Sequence, residues 1–230
     1  MNETKYFFIF ITNFCFCQEP IKINFDLKSQ LDDILKFDQI FREYSDSETS
    51  DYRKSEIVAL TNIDKKKLDE NLWQIINETD SINLIKVEKI IKKHGYPGKS
   101  LVGTPTNIAC WYVIQHSKKI KDYFEIIKKS GELGEIPNTN VATMQDRMLM
   151  NDGLEQIYGT QGAGRLIIND DGKEEFYNFI WPIKNIVNVN ELRKKAGFKT
   201  SVEENSKRIG IDYKIVTLED YKKLKIVIVK

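Results

Sequence analysis

The stretch FDLKSQLDDILKFDQIFREY, residues 25–44, sets apolar side chains at Leu27, Leu31, Ile34, Leu35 and Phe41. That is the three- and four-residue spacing of one helix face. Asp38 falls on the same stripe, one turn before Arg42. It is read either as a carboxylate held near the core by an i, i+4 partner or as half of a part-exposed surface ion pair. The same period recurs through the first two thirds of the chain and makes it mainly α.

A polar turn over residues 45–51 leads into a long helical region, with breaks expected near Asp64 and again at Thr79-Asp80-Ser81, where Asp80 or Ser81 would cap the next helix. That helix carries Leu84, Val87, Ile90 and Ile91 on one side. It ends at His94-Gly95-Tyr96-Pro97-Gly98, Gly95 taking the left-handed conformation that terminates helices. Pro105 suits the first turn of another helix, whose inward positions are Ile108, Trp111, Tyr112, Gln115 and His116. Further amphipathic helices are expected over 120–130 and 141–151, the latter with Met144 and Met148 facing in as core filler.

Beyond Gly153 the period changes to two. Gln156, Tyr158 and Thr160 fall on one side, which predicts a strand with a polar face. Leu166-Ile167-Ile168, the turn Asn169-Asp170-Asp171-Gly172 and the run Phe176 to Trp181 predict a hairpin. Short helices over 190–196 and 202–209 follow, and Ile226 to Val229 is either a last strand or an apolar tail. The expected architecture is a mainly α, multi-helix domain with a small late antiparallel β-hairpin.

The start of the chain follows signal-peptide grammar. Lys5 precedes the apolar run Tyr6 to Ile11, then Cys15-Phe16-Cys17 supplies small residues at the cleavage positions, and Pro20 stops a helix. Cleavage after Cys17 makes residues 1–17 the signal peptide and 18–230 a single domain, delivered to the periplasm or secreted. The run is shorter than the roughly 20 apolar residues of a permanent span, so no stable membrane anchor is expected. Phe14 and Phe16 stand where a lipoprotein signal wants small residues. The competing reading is a buried N-terminal helix or strand, since Glu3 partly cancels Lys5.

Cleavage would leave Cys110 alone, a small buried hydrophobe with no partner for a disulfide. The 35 basic and 34 acidic residues give a formal net charge of +1. With the signs well mixed, nothing points to nucleic acid or to an anionic membrane surface. Two histidines and one retained cysteine are too few for an ordinary zinc site, and no metal is expected. No cofactor motif is present: the glycines of Gly159-Thr160-Gln161-Gly162-Ala163-Gly164 do not open a helix after a parallel strand.

What remains is a polar set on apolar elements: Gln115, His116, Asp146, Arg147, Gln156, Tyr158, Thr160 and Gln161. Buried polar groups need partners, so these residues are expected to meet one another or a ligand. His116 is suited to general-base work near neutral pH, with Asp146 orienting it. Tyr158 and Arg147 would stabilise negative charge, and Gln115, Gln156, Thr160 and Gln161 would contact the ligand. Alternatively the set is a closed internal network serving structure alone.

Taken in order, His94-Gly95-Tyr96-Pro97, Gln115-His116-Ser117, Asp146-Arg147 and Gln156-Ile157-Tyr158-Gly159-Thr160-Gln161 resemble a family of uncharacterised, often exported, bacterial proteins. The family's pattern is G-[WY]-P, Q-H-[AS], D-R and Q-x-Y-G-T-Q. The resemblance also takes in Asp38-Gln39 with Arg42, Asp80 with Asn83, and Asn190-Glu191-Leu192-Arg193 with Gly197. It supports the domain boundaries and the choice of residues but supplies no reaction. Three functions are compatible with the sequence: a pocket for a small polar ligand, a peptide or a glycan end; a metal-independent hydrolase or transferase using His116; and a structural envelope protein.

Overall fold

In the computed structural model, which describes residues 22–227, ten helices precede and follow one two-stranded antiparallel sheet. The mainly α reading with a late hairpin holds. The signal-peptide reading of residues 1–17 lies outside the described residues. Helix α1 is Phe25–Ser45, started by the Asn24 side chain accepting from Leu27 N–H at 3.0 Å. Helices α2 (Asp51–Thr61) and α3 (Lys65–His94) follow, with Ser50 and Asp64 as their N-caps.

Helix α3 runs for 30 residues without the break expected at Thr79-Asp80-Ser81. Both of its supposed breakers find partners that leave the helix intact. Asp80 receives both oxygens' worth of hydrogen bonding from Arg42 Nη2 at 2.6 Å, and Ser81 Oγ donates back to Asn77 O at 2.8 Å. The distortion sits instead at Asn71 (φ −124°, ψ 17°), whose side chain donates to Lys67 O. Gly95 ends the helix at the expected place, with φ 70° and ψ −164° rather than the left-handed helical pair of angles.

A short helix α4 (Lys99–Val102) and a 3-10 turn at Thr106–Ile108 lead into α5 (Ala109–Gln115), α6 (Ile120–Glu132) and α7 (Asn138–Asn151). The main core gathers Leu27, Leu31 and Ile34 of α1, Val87 and Ile90 of α3, Val113 and Ile114 of α5, Ile127 of α6 and Met144 of α7. Cys110 is buried in it, and burial pushes its thiol pKa upward, which keeps it protonated and inert. A second cluster, Phe41, Tyr44, Ile57, Leu68 and Ile76, ties α1, α2 and the start of α3 together. Among the described residues no helix is long and apolar enough to cross a membrane.

The polar-faced strand expected at 156–161 is not there. That segment is irregular, joined to the sheet region by a bridge in which Gln156 N–H donates to Pro182 O and Lys184 N–H to Gln156 O, and by Trp181 N–H donating to Gln161 O. Strand β1 begins at Gly162 and runs to Ile168, pairing with β2 (Glu174–Ile180) in the register Gly162 to Ile180 and Ile168 to Glu174. The turn is held by Asn169 Oδ1, which accepts from Asp171 and Lys173 N–H, with Gly172 at φ 77°. Helices α8 (Val189–Ala196), α9 (Val202–Arg208) and α10 (Leu218–Lys223) complete the chain, and Val227 N–H donates to Leu166 O beside a single bridge from Ile226 to Ile167.

Candidate functional site

The polar residues singled out in the sequence separate into three places. The first is the irregular 156–161 segment, and Asp146 builds it. This carboxylate, fully buried on α7, accepts from the backbone N–H groups of Ile157, Tyr158 and Thr160 and from Thr160 Oγ1, at 2.7 to 3.1 Å. Burial raises its pKa, and these donors pull the other way. Gln156, also fully buried, closes a ring: its Nε2 donates to Gln161 O and Trp181 O, and its Oε1 accepts from Gln161 N–H. Gln161 Nε2 donates to Thr143 O and Thr160 Oγ1.

From the other side, Arg193 of α8 is 1 % exposed, donates to Tyr158 O and twice to Thr200, and lies over the Phe198 ring. Asn205 donates to Gly159 O. Gly159 itself sits at φ 65°, where an added Cβ would stand 2.5 Å from Val202 Cγ2. The period of two at 156–161 therefore records a loop whose backbone groups are bonded by side chains rather than by a ladder. Asp146 is committed to that loop and does not orient His116. Gln156, Thr160 and Gln161 are likewise engaged internally.

The second place is a cleft of about 370 Å³ lined by α6, α7 and α8, including Phe124, Lys128, Gln145 and Lys195. Tyr158 is the one sequence candidate there, its ring against Phe198.

The third place joins His116 and Arg147 to residues that the sequence marks as a helix ion pair, as a helix cap or through the family resemblance, but does not place in the site. Asp38 and Arg42 project from α1, Asp80 and Asn83 from α3, His116 from the C-cap of α5 and Arg147 from α7. Arg42 Nη2 is paired to Asp80 at 2.6 Å, and its Nε lies 3.8 Å from Asp38 Oδ2. Gln39 Nε2 donates to that same Asp38 oxygen. Asp38 and Asn83 are each 2 % exposed, yet Asp38 Oδ1 and Asn83 Nδ2 have no hydrogen-bond partner; nor do the buried Nε atoms of Arg42 and Arg147. Only one other buried side-chain atom among the described residues, Asn107 Oδ1, shares that condition. Gln115, buried at the end of α5, makes no side-chain hydrogen bond among the described residues.

The electrostatics follow from this geometry. Burial, then the charges of Arg42 and Arg147, lower the His116 pKa to about 3, so the imidazole is neutral at ordinary pH. Burial raises the Asp38 pKa to about 6 against the help of Gln39 and Arg42, with Asp80 adding repulsion. Arg147 has no ion-pair partner among the described residues; its pKa is lowered by burial and by Arg42, a charge of the same sign. An uncompensated guanidinium and several orphaned donors in one place cost stability, which makes the cluster a candidate site. The arrangement can hold an acceptor-rich group, and a neutral His116 can donate or accept one hydrogen bond to it.

The chain matches no family model, and no curated protein or solved structure is significantly similar to it.

Proposed function

We propose that this chain is an exported helical protein that binds a small polar ligand, or the end of a peptide or glycan, at the Asp38–Arg42–Asn83–His116–Arg147 cluster. The observation that carries this reading is the coincidence, in that one cluster, of four of the five unpartnered buried side-chain atoms among the described residues. Buried polar groups in folded proteins are nearly always satisfied, so these atoms call for partners from outside the chain, and the reading assigns that role to a ligand. The side chains of Arg42 and Asp80 remain 24 % and 23 % exposed, which gives the cluster an edge on solvent. Export rests on the N-terminal grammar and on the resemblance to exported bacterial proteins.

Binding is better supported than general-base catalysis by His116. With a pKa near 3 the imidazole is a weak base, and Asp146, the partner that would strengthen it, is bonded elsewhere. The purely structural role belongs to the Asp146–Gln156–Gln161 loop, where every bond closes internally. A thermal-stability screen with cell-wall fragments, sugars, peptides and metal ions tests the reading, because a ligand of the native state raises its melting temperature. Stabilisation that disappears in Arg147→Met and Asn83→Ala supports it, whereas stabilisation indifferent to both removes the cluster as the site.

A further inference from the structure

The charges and orphaned atoms of this cluster also specify what chemistry the ligand carries, on the reading just proposed. Arg42 Nη2 donates to both oxygens of Asp80, whereas Arg147 has no ion-pair partner among the described residues. Three of the unpartnered atoms are donors: Arg42 Nε, Arg147 Nε and Asn83 Nδ2. The fourth, Asp38 Oδ1, is an acceptor, on a carboxyl group whose other oxygen lies 3.8 Å from Arg42 Nε. The site thus offers one guanidinium without an ion-pair partner among the described residues, donors that lack acceptor lone pairs and, beside them, one carboxylate oxygen that lacks a donor.

We propose that the occupant is an organic monocarboxylate with a hydrogen-bond donor on the adjacent carbon, an α-hydroxy or α-amido acid, such as the free carboxyl end of a peptide. Its carboxylate takes the Arg147 fork and shares the Arg42 and Asn83 donors, and its hydroxyl or amide hydrogen goes to Asp38 Oδ1. A guanidinium matches a planar carboxylate through two parallel hydrogen bonds. A phosphate group, which carries up to two charges near neutral pH, would bring more negative charge against Asp38 and Asp80 than a singly charged carboxylate does. Neutral His116 adds a bond without adding charge.

The test uses the purified protein and a ligand series that varies one feature at a time: lactate and N-acetylalanine, their uncharged amides, acetate, and inorganic phosphate. Stabilisation against heat and calorimetric affinity are read for each. Lactate and N-acetylalanine should bind, acetate more weakly, and the amides and phosphate weaker still. Loss of the charged hydrogen bonds in Arg147→Met should cost roughly tenfold to a hundredfold in affinity. That side chain has no ion pair to lose, so the variant should remain folded by circular dichroism; Arg147→Lys, which keeps the charge but not the fork, gives an independent intermediate value. Asp38→Asn should narrow the gap between lactate and acetate.

Amides that bind as well as acids, phosphate that outcompetes the carboxylates, or no response to any of these anions would each overturn the carboxylate assignment. A neutral sugar bound in an Arg147-dependent way would overturn it while leaving the site in place. Carboxylate binding unaffected by both Arg147→Met and Asn83→Ala would instead overturn the site.

Discussion

Asp38 and His116 pull the pH dependence of stability in opposite directions over the same range, and substituting either one should unmask the other. The Asp38 pKa rises from 3.8 to about 6 on folding. Its stabilising contribution is therefore complete below about pH 4 and is lost as the pH rises through about 6, at up to ~1.4 kcal/mol per pH unit and ~3 kcal/mol in all. The His116 pKa falls from 6.5 to about 3, so its contribution is complete above 6.5 and is lost as the pH falls through about 3. Its part-exposed ring makes the same ~1.4 kcal/mol per unit an upper bound there. In the intact protein the two slopes largely cancel between about pH 4 and 6. In His116→Gln stability should fall with rising pH across that interval; in Asp38→Asn it should rise. Urea unfolding at several pH values gives the slopes, and other carboxylates contribute equally to both variants, so the difference between them is diagnostic. Parallel profiles for the two variants would refute the electrostatic account of the cluster.

Two further substitutions separate the loop from the cluster. Asp146→Ala orphans three backbone N–H donors that the carboxylate now satisfies and should cost about 3–5 kcal/mol in urea unfolding; a loss below about 1 kcal/mol would mean the loop is held by Arg193 and Gln156 alone. Arg147→Met should instead leave the unliganded protein as stable or raise it by about 1–3 kcal/mol, because it replaces an uncompensated charge with an apolar chain. Marked destabilisation, seen as a lower melting temperature, would show that Arg147 has a structural partner in solution.

The helical period of residues 25–44 was a reliable guide because burial on one face leaves its mark in every turn. The hairpin was legible for the same reason, with Asn169 and Gly172 marking its turn. The break expected at Asp80 failed because a carboxylate that caps one helix in isolation is, in this fold, the partner of an arginine on another. The strand expected at 156–161 failed because alternation of polar residues cannot tell a ladder from a loop bonded by Asp146, Arg193 and Asn205, all remote in sequence.

The site was half legible. His116 and Arg147 stood out as polar residues on apolar stripes, but adjacency in the chain made Asp146 look like their companion. Neighbours on a helix point about 100° apart, so Asp146 and Arg147 serve different places. Asp38 and Arg42 were legible as an i, i+4 pair and Asp80 as a cap, with Asn83 noted through the resemblance, but only packing of α1 and α3 against α5 and α7 brings them to His116. Arg193, whose bonds to the loop are backbone-directed, carried no signal beyond its place in that same resemblance.

The measurement that tests the cluster most directly is an NMR titration of the His116 ring nitrogens with and without a carboxylate ligand. His116 should stay neutral down to about pH 3 in the free protein. Adding N-acetylalanine should shift its resonances and move its titration toward higher pH, because bound negative charge offsets Arg42 and Arg147. A ring that titrates near its ordinary 6.5 and ignores the ligand would contradict both the charge arrangement and the site built on it.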